Sequence, residues 1–226
     1  MKYIKKGPEP AALRNWRLSQ KSSPQNLTYQ NMPKTEVRKR LLQEQGNLCA
    51  YTMLRISGPA NGHIEHIVPQ SDKAKPEMQI AYRNMLYCYP GQSEDMPDFG
   101  AKKKDGTIIE SNDFVSPLDP TCETRFIYKN DGSLVTASDS DPAAVKTIRV
   151  LNLQSRALIQ ARKIAILTLP IFNRPSISAK EARKAALQSI QRDSDGCFRV
   201  FALALCQALA RYADKRAAKE AALGAR

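Results

Sequence analysis

The segment Gly62-His63-Ile64-Glu65-His66-Ile67-Val68-Pro69-Gln70, followed further on by Asn84-Met85-Leu86-Tyr87-Cys88, constrains this chain more than any other. Both histidines of the 226-residue sequence fall in the first run, beside a carboxylate, a placement that core packing alone rarely produces. Alternate side chains of a strand share a face, so a strand here directs His63 and Glu65 one way and Ile64 the other, into the core. Pro69 breaks the pattern just after His66 and leaves that residue, at the strand end, free to turn toward the same site. Asn84 opens a second apolar run that pairs with the first across a long loop. An imidazole, a carboxylate and a carboxamide are thereby expected at one hairpin.

Such a trio suits phosphodiester hydrolysis. Neutral imidazole takes a proton from water near neutral pH, and general-base help of this kind is typically worth ~10² to 10⁴ in rate. His66 is the expected base. Glu65 and the Asn84 carbonyl oxygen are hard donors of the kind Mg²⁺ prefers, with Mn²⁺ as a substitute, and His63 either touches the metal, orients Glu65 or meets phosphate. The expected catalytic set is therefore His66, Asn84, Glu65 and His63, with Glu65, Asn84 and His63 as metal ligands. Lys104, Lys102 and Lys75 are the candidate contacts to nucleic-acid phosphate.

The runs HIEHIVPQS and YRNMLYC resemble the HNH endonuclease family, whose ββα-metal fold is a hairpin followed by a helix. The resemblance implies that His66 activates water, that Glu65 binds the metal, and that Asn84 binds the metal or orients the base. A third motif residue, often His or Asn, comes in that family from the following helix. Here the corresponding stretch, Phe99-Gly100-Ala101-Lys102-Lys103-Lys104-Asp105, has neither, which leaves Glu94, Asp95 and Asp98 as alternative third ligands. Many members also carry a zinc knuckle of two Cys-x-x-Cys pairs. This chain has only Cys49 and Cys88 at those places, too few for a closed tetrahedral site, so structural zinc is not expected and both cysteines read as buried apolar side chains. Together with MKYIKKGPEP, SPLDPTCETRFIYKNDG and AVKTIRVLNLQSRALIQAR, the motif looks like one branch of the family, the HNH nuclease subunit of Septu-type anti-phage defence systems (PtuB-like). That likeness implies an ABC/SMC-like ATPase as partner, in some members a retron reverse transcriptase with its RNA–DNA hybrid, and a nuclease held in check until infection.

Charge agrees with a polyanionic partner. The sequence carries a formal +13, unevenly spread: residues 1 to 45 hold ten Lys/Arg against three acids, residues 142 to 226 sixteen against five, and the segment between nine against fourteen. Basic flanks around an acidic centre fit ends that hold a nucleic-acid backbone and a middle that holds a cation. The expected fold is α+β: a basic N-terminal helical arm (1–45), an HNH core (46–112), a second β-hairpin (113–141) and a basic C-terminal helical region (142–226). Within the arm, a short helix from Pro8 and a helix over Glu36 to Gln45 flank a polar linker, Ser19 to Asn31. Lys129-Asn130-Asp131-Gly132 between two β-prone runs signals the second hairpin, expected near the first. Asp141-Pro142, Ser155 and Ser178-x-x-Glu181 each open a helix, and a last helix from about Gly196 to Ala222 buries Phe198, Phe201, Leu205 and Leu209. No apolar run approaches a membrane span, no secretory signal is visible, and five scattered cysteines do not form a disulfide framework, so a cytoplasmic protein is expected. Two other readings remain: a non-catalytic nucleic-acid-binding subunit, and a structural zinc protein in which Cys49, Cys88, His63 and His66 converge.

Overall fold

The computed structural model describes residues 1–91, 97–107, 111–173 and 177–224. Helix α1 (Ala11–Ser19) buries Leu13, and α2 (Lys34–Glu44) buries Val37, Leu41 and Leu42, the 3.6-residue stripe expected of it. Between them the polar linker forms a short 3₁₀ turn at Pro24–Asn26 and then brings Tyr29 back toward the centre of the molecule. The basic N-terminal segment is no detached arm. Met1 and Ile4 are buried in the same hydrophobic core as residues of every later part of the chain, and Ile4 donates its N–H to the Pro117 carbonyl at 2.8 Å.

Strand β1 (His63–His66) pairs antiparallel with β2 (Met85–Cys88), in the register His63 with Cys88 and His66 with Met85. Both are four residues long, and β2 is buried at every position, so the ionisable side chains that this hairpin presents to the cleft come from β1. The outer edge of β2 is completed by a side chain. Gln45, directly after α2 and 4 % exposed, accepts from the Tyr87 N–H at 2.7 Å through Oε1 and donates Nε2 to the Tyr87 carbonyl at 2.7 Å. The amide copies a neighbouring strand's peptide group and satisfies the buried Tyr87 N–H, while the Tyr87 carbonyl also receives the Ala50 N–H at 3.1 Å. At the start of β1, Gly62 is required: a Cβ there would stand 2.6 Å from the Tyr87 ring, whose hydroxyl donates to the Gly62 carbonyl. A one-turn helix, α3 (Ala101–Lys104), follows the hairpin.

The second hairpin, β3 (Phe126–Tyr128) with β4 (Leu134–Thr136), closes over the Asn-Asp-Gly turn as expected. It packs chiefly against helices that come later in the chain. Gly132, at φ +86, lies so close to the second of these helices that a Cβ would meet the Ile159 carbonyl at 2.1 Å. The helices are α4 (Pro142–Val150), α5 (Arg156–Leu167), the short α6 (Pro170–Asn173), α7 (Ala179–Ser189) and α8 (Ala202–Gly224). Their starts obey local chemistry: Asp141 caps α4 by accepting from Ala144 N–H at 2.9 Å, Ser155 accepts from Leu158 N–H, and Ser178 with Glu181 forms a complete capping box, devices worth about 1 kcal/mol each. Arg162 of α5, 2 % exposed, joins the layers by donating to the Gly132 carbonyl at 2.6 Å and the Leu153 carbonyl at 2.7 Å. Helix α8 begins at Ala202, later than expected, because Phe201 sits at φ +54 and its N–H bonds the Met53 carbonyl. It buries Leu205 and Leu209 and packs along α7 and β3. Among the described residues no helix is long and apolar enough to cross a membrane.

Candidate active site

His63, Glu65 and His66 open onto one cleft of about 290 Å³, closed on its other side by Lys102, Lys104 and the turn after α3. His66 is 4 % exposed. One ring nitrogen, Nε2, lies 2.9 Å from the Gln79 carbonyl, which only accepts, so Nε2 carries the proton and Nδ1 keeps the lone pair. Nδ1 in turn accepts from the amide of Gln70, an exposed side chain, at 3.2 Å. Tyr29 packs edge-on against the ring, 5.0 Å between centroids. Burial, with Lys104 nearby, pushes the His66 pKa down to about 4, so the imidazole is neutral throughout the neutral range. A neutral ring with a fixed tautomer and its lone pair under an exposed side chain is chemically able to accept a proton.

Asn84 has a different task from the one expected of it. It is 2 % exposed, its Oδ1 accepts from Val68 N–H at 2.8 Å, and its Nδ2 donates to the carbonyls of Val68 and Met78, each at 2.9 Å. These bonds clamp the two ends of the loop between the strands. Val68 stands two residues after His66, and Met78 precedes Gln79, whose carbonyl holds the His66 ring. Asn84 therefore spends its amide on holding the backbone around His66, and its Oδ1 already accepts from a backbone N–H.

Glu65 carries the largest departure. Its Oε1 is 2.9 Å from Lys104 Nζ, and the same ammonium donates to the His66 carbonyl at 2.9 Å. Burial raises the Glu65 carboxyl, and the Lys104 charge pulls it back toward ionisation. The side chain that α3 sends to the Glu65 carboxylate is thus a lysine. Lys104 lies buried in an ion pair at the wall of the cleft, Lys102 lines the cleft beside it, and Lys75 stands exposed on the loop between the strands. His63 donates Nδ1–H to the Pro90 carbonyl at 2.5 Å, which leaves Nε2 as its acceptor; burial and then Lys102 lower its pKa. Asp98 is exposed and receives the Asn152 amide at 2.9 Å on its carbonyl; Glu94 and Asp95 lie outside the described residues.

A divalent ion does not fit this donor set as it is packed. Mg²⁺ asks for near-octahedral oxygen coordination, usually through one or two carboxylates. Asn84 bonds backbone through both ends of its amide and Glu65 Oε1 is already paired with an ammonium, so a cation would be left with Glu65 Oε2 and the His63 Nε2, one carboxylate oxygen and one imidazole nitrogen. Among the described residues no three His, Cys, Asp or Glu side chains converge as a metal set. Cys49 and Cys88 are both buried and hydrogen-bond each other, with Thr52 completing the contact.

The basic flanks of the sequence meet on one surface. Lys2, Lys5, Lys6 and Arg40 from the first segment and Arg192 from the last line a concavity around Phe198, with Lys2 and Arg192 both over its ring. Lys6 reaches from there to the carbonyl of Met85, the residue paired with His66. Sequence reasoning missed Tyr29, Gln79 and Gln45. Tyr29 sits in a segment whose composition reads as linker, and Gln79 acts through its backbone, which no side-chain pattern reports.

No protein-family model and no curated protein matches this chain.

Proposed function

We propose that the protein is an HNH-like endonuclease that hydrolyses phosphodiester bonds of nucleic acid, with His66 as the general base. The observation that carries this reading is the state of His66: neutral, held through Nε2 by a backbone carbonyl, with Nδ1 facing a cleft that contains a carboxylate and two lysines. Gln70 swings off Nδ1, a water takes its place, and His66 receives the proton as the water attacks phosphorus. The Gln79 carbonyl, fixed by Asn84, keeps the ring aligned and stabilises the imidazolium that forms. Lys102 and Lys75 meet flanking phosphates, and the concavity around Phe198 grips the backbone further along by charge, without reading sequence.

The HNH resemblance extends the reading to its setting: the effector nuclease of a bacterial anti-phage complex, kept with an ABC/SMC-like ATPase and, in retron-linked forms, with a reverse transcriptase and its RNA–DNA hybrid. Exposed Leu187, Ile164 and Leu167 on the helical side offer apolar contact area away from the cleft for such a subunit.

The test is cleavage of plasmid, single-stranded DNA and total RNA by wild type and His66→Ala, each alone and with the candidate ATPase, in EDTA and in Mg²⁺. The expected loss on His66→Ala is at least ~10²-fold. Cleavage undiminished by that substitution defeats the assignment of His66, and binding without cleavage in every arm supports a nucleic-acid-binding subunit instead.

A further inference from the structure

Lys104 already supplies Glu65 with a cation. The side chain is 3 % exposed, and its ammonium makes two charge-assisted bonds, to Glu65 Oε1 and to the main-chain carbonyl of His66, each 2.9 Å. An ammonium has three donors, so one N–H is left over, in a group that lines the cleft. Burying such a charge is costly unless it is paired, and here the pairing is built in from both ends. Lys104 closes the single turn of α3. Gly100, at φ +73, starts that turn with its N–H on the Leu151 carbonyl at 2.8 Å, and its own carbonyl receives the N–H groups of Lys103 and Lys104. The core next to α4 thus fixes where the ammonium sits. A divalent ion on Glu65 would have to share a single carboxylate with a unit positive charge a few ångströms away, under the strong repulsion of a partly desolvated site.

We propose that Lys104 is the resident cation of this cleft, binding a non-bridging oxygen of the scissile phosphodiester through its remaining N–H, and that Glu65 serves to hold Lys104 instead of a metal ion. Lysine suits the part as a compact point charge for phosphate. The hydrolysis balances without a co-reactant. Water gives its oxygen to phosphorus and a proton to His66 Nδ1, the bond from phosphorus to the departing sugar oxygen breaks, and that oxygen is protonated from solvent. Lys104 neutralises charge on the phosphoryl oxygens as the new bond forms. The inference rests on reading the cleft as a phosphodiester site, and two measurements keep the failures apart.

The first uses Mn²⁺ alone, without nucleic acid. The sequence has only two histidines, so paramagnetic broadening of the His63 and His66 imidazole signals reports metal at Glu65 directly in the wild-type chain. No selective broadening is expected at millimolar Mn²⁺. In Lys104→Met, with fold checked by circular dichroism, the freed carboxylate should bind Mn²⁺ roughly tenfold more tightly or better, and broaden both signals. Stoichiometric broadening in the wild type would overturn the inference, and that titration decides even where the variant does not fold. The second is cleavage in EDTA: wild-type activity should survive chelation and fall at least ~10²-fold in Lys104→Met. Cleavage abolished by EDTA and restored by Mg²⁺ refutes the resident cation while leaving the nuclease reading intact. No cleavage in any condition removes the nuclease reading, and Mn²⁺ titration then still decides what Glu65 holds.

Discussion

Replacing Asn84 separates its two possible roles, cation ligand and clamp. Asn84→Ala removes the hydrogen bonds to Val68 N–H, Val68 O and Met78 O, leaving buried groups without partners. Each such loss costs about 1–3 kcal/mol, and partial relaxation of the loop toward water keeps the sum near the lower end, about 3 kcal/mol in all. For a chain of this size that is a fall of about 6–12 °C in melting temperature. Asn84→Asp is the sharper test. Its carboxylate keeps the acceptor for Val68 N–H but sets an oxygen against two carbonyls, so it is at least as destabilising as alanine at neutral pH. Because the fold holds that carboxyl protonated, its pKa is raised over the unfolded value, and the deficit relative to wild type shrinks as pH falls. The assay is urea unfolding at pH 7.5 and 5.5, followed by circular dichroism, with wild type as the reference at each pH. If Asn84→Asp were as stable as wild type to within ~0.5 kcal/mol at pH 7.5, the clamp would be refuted, since a metal-ligand position accepts a carboxylate readily.

Two further outcomes follow from the same geometry. His66 has its folded pKa depressed from 6.5 to about 4, so the stability tied to its neutral form is present above pH 6.5 and is lost as pH falls toward 4: comparing urea midpoints of wild type and His66→Gln at pH 7.5 and 4.5, the wild type should lose about 2.5 kcal/mol more, and parallel losses would contradict the burial argument. Gln45→Met keeps the volume but strips the Tyr87 N–H of its acceptor, while the Tyr87 carbonyl keeps the Ala50 N–H; this should cost about 1–3 kcal/mol and speed hydrogen exchange of the Tyr87 amide, and unchanged protection would show that the N–H is satisfied some other way.

Local chemistry made much of the fold readable in advance. Asp141-Pro142, Ser155 and the Ser178–Glu181 box start helices where they do because an N-terminal cap is decided within four residues, and Asn130-Asp131-Gly132 closes a hairpin for the same reason. The first hairpin was legible too, since two short apolar runs beside clustered histidines leave few other pairings. Helix α8 starts later than its pattern suggests because Phe201 answers to Met53, a partner that periodicity does not report. The expected arm over residues 1–45 dissolves likewise, its charges on the surface but Met1, Ile4 and Leu13 in the common core.

The sequence by itself determined the inventory of the site: an imidazole at a strand end, a carboxylate beside it, an asparagine opening the partner strand, and basic flanks. Which partner each of them meets follows only from the folded chain. Whether Asn84 faces a cation or two carbonyls, whether Lys104 faces solvent or Glu65, and that Tyr29 and the Gln79 carbonyl hold His66, all depend on contacts between segments far apart in the chain. Periodicity fixes which face of an element is buried, because burial follows from the apolar pattern. It does not fix which polar partner waits there, because hydrogen bonds and ion pairs are satisfied one at a time, by whichever group the folded backbone delivers within about 3 Å.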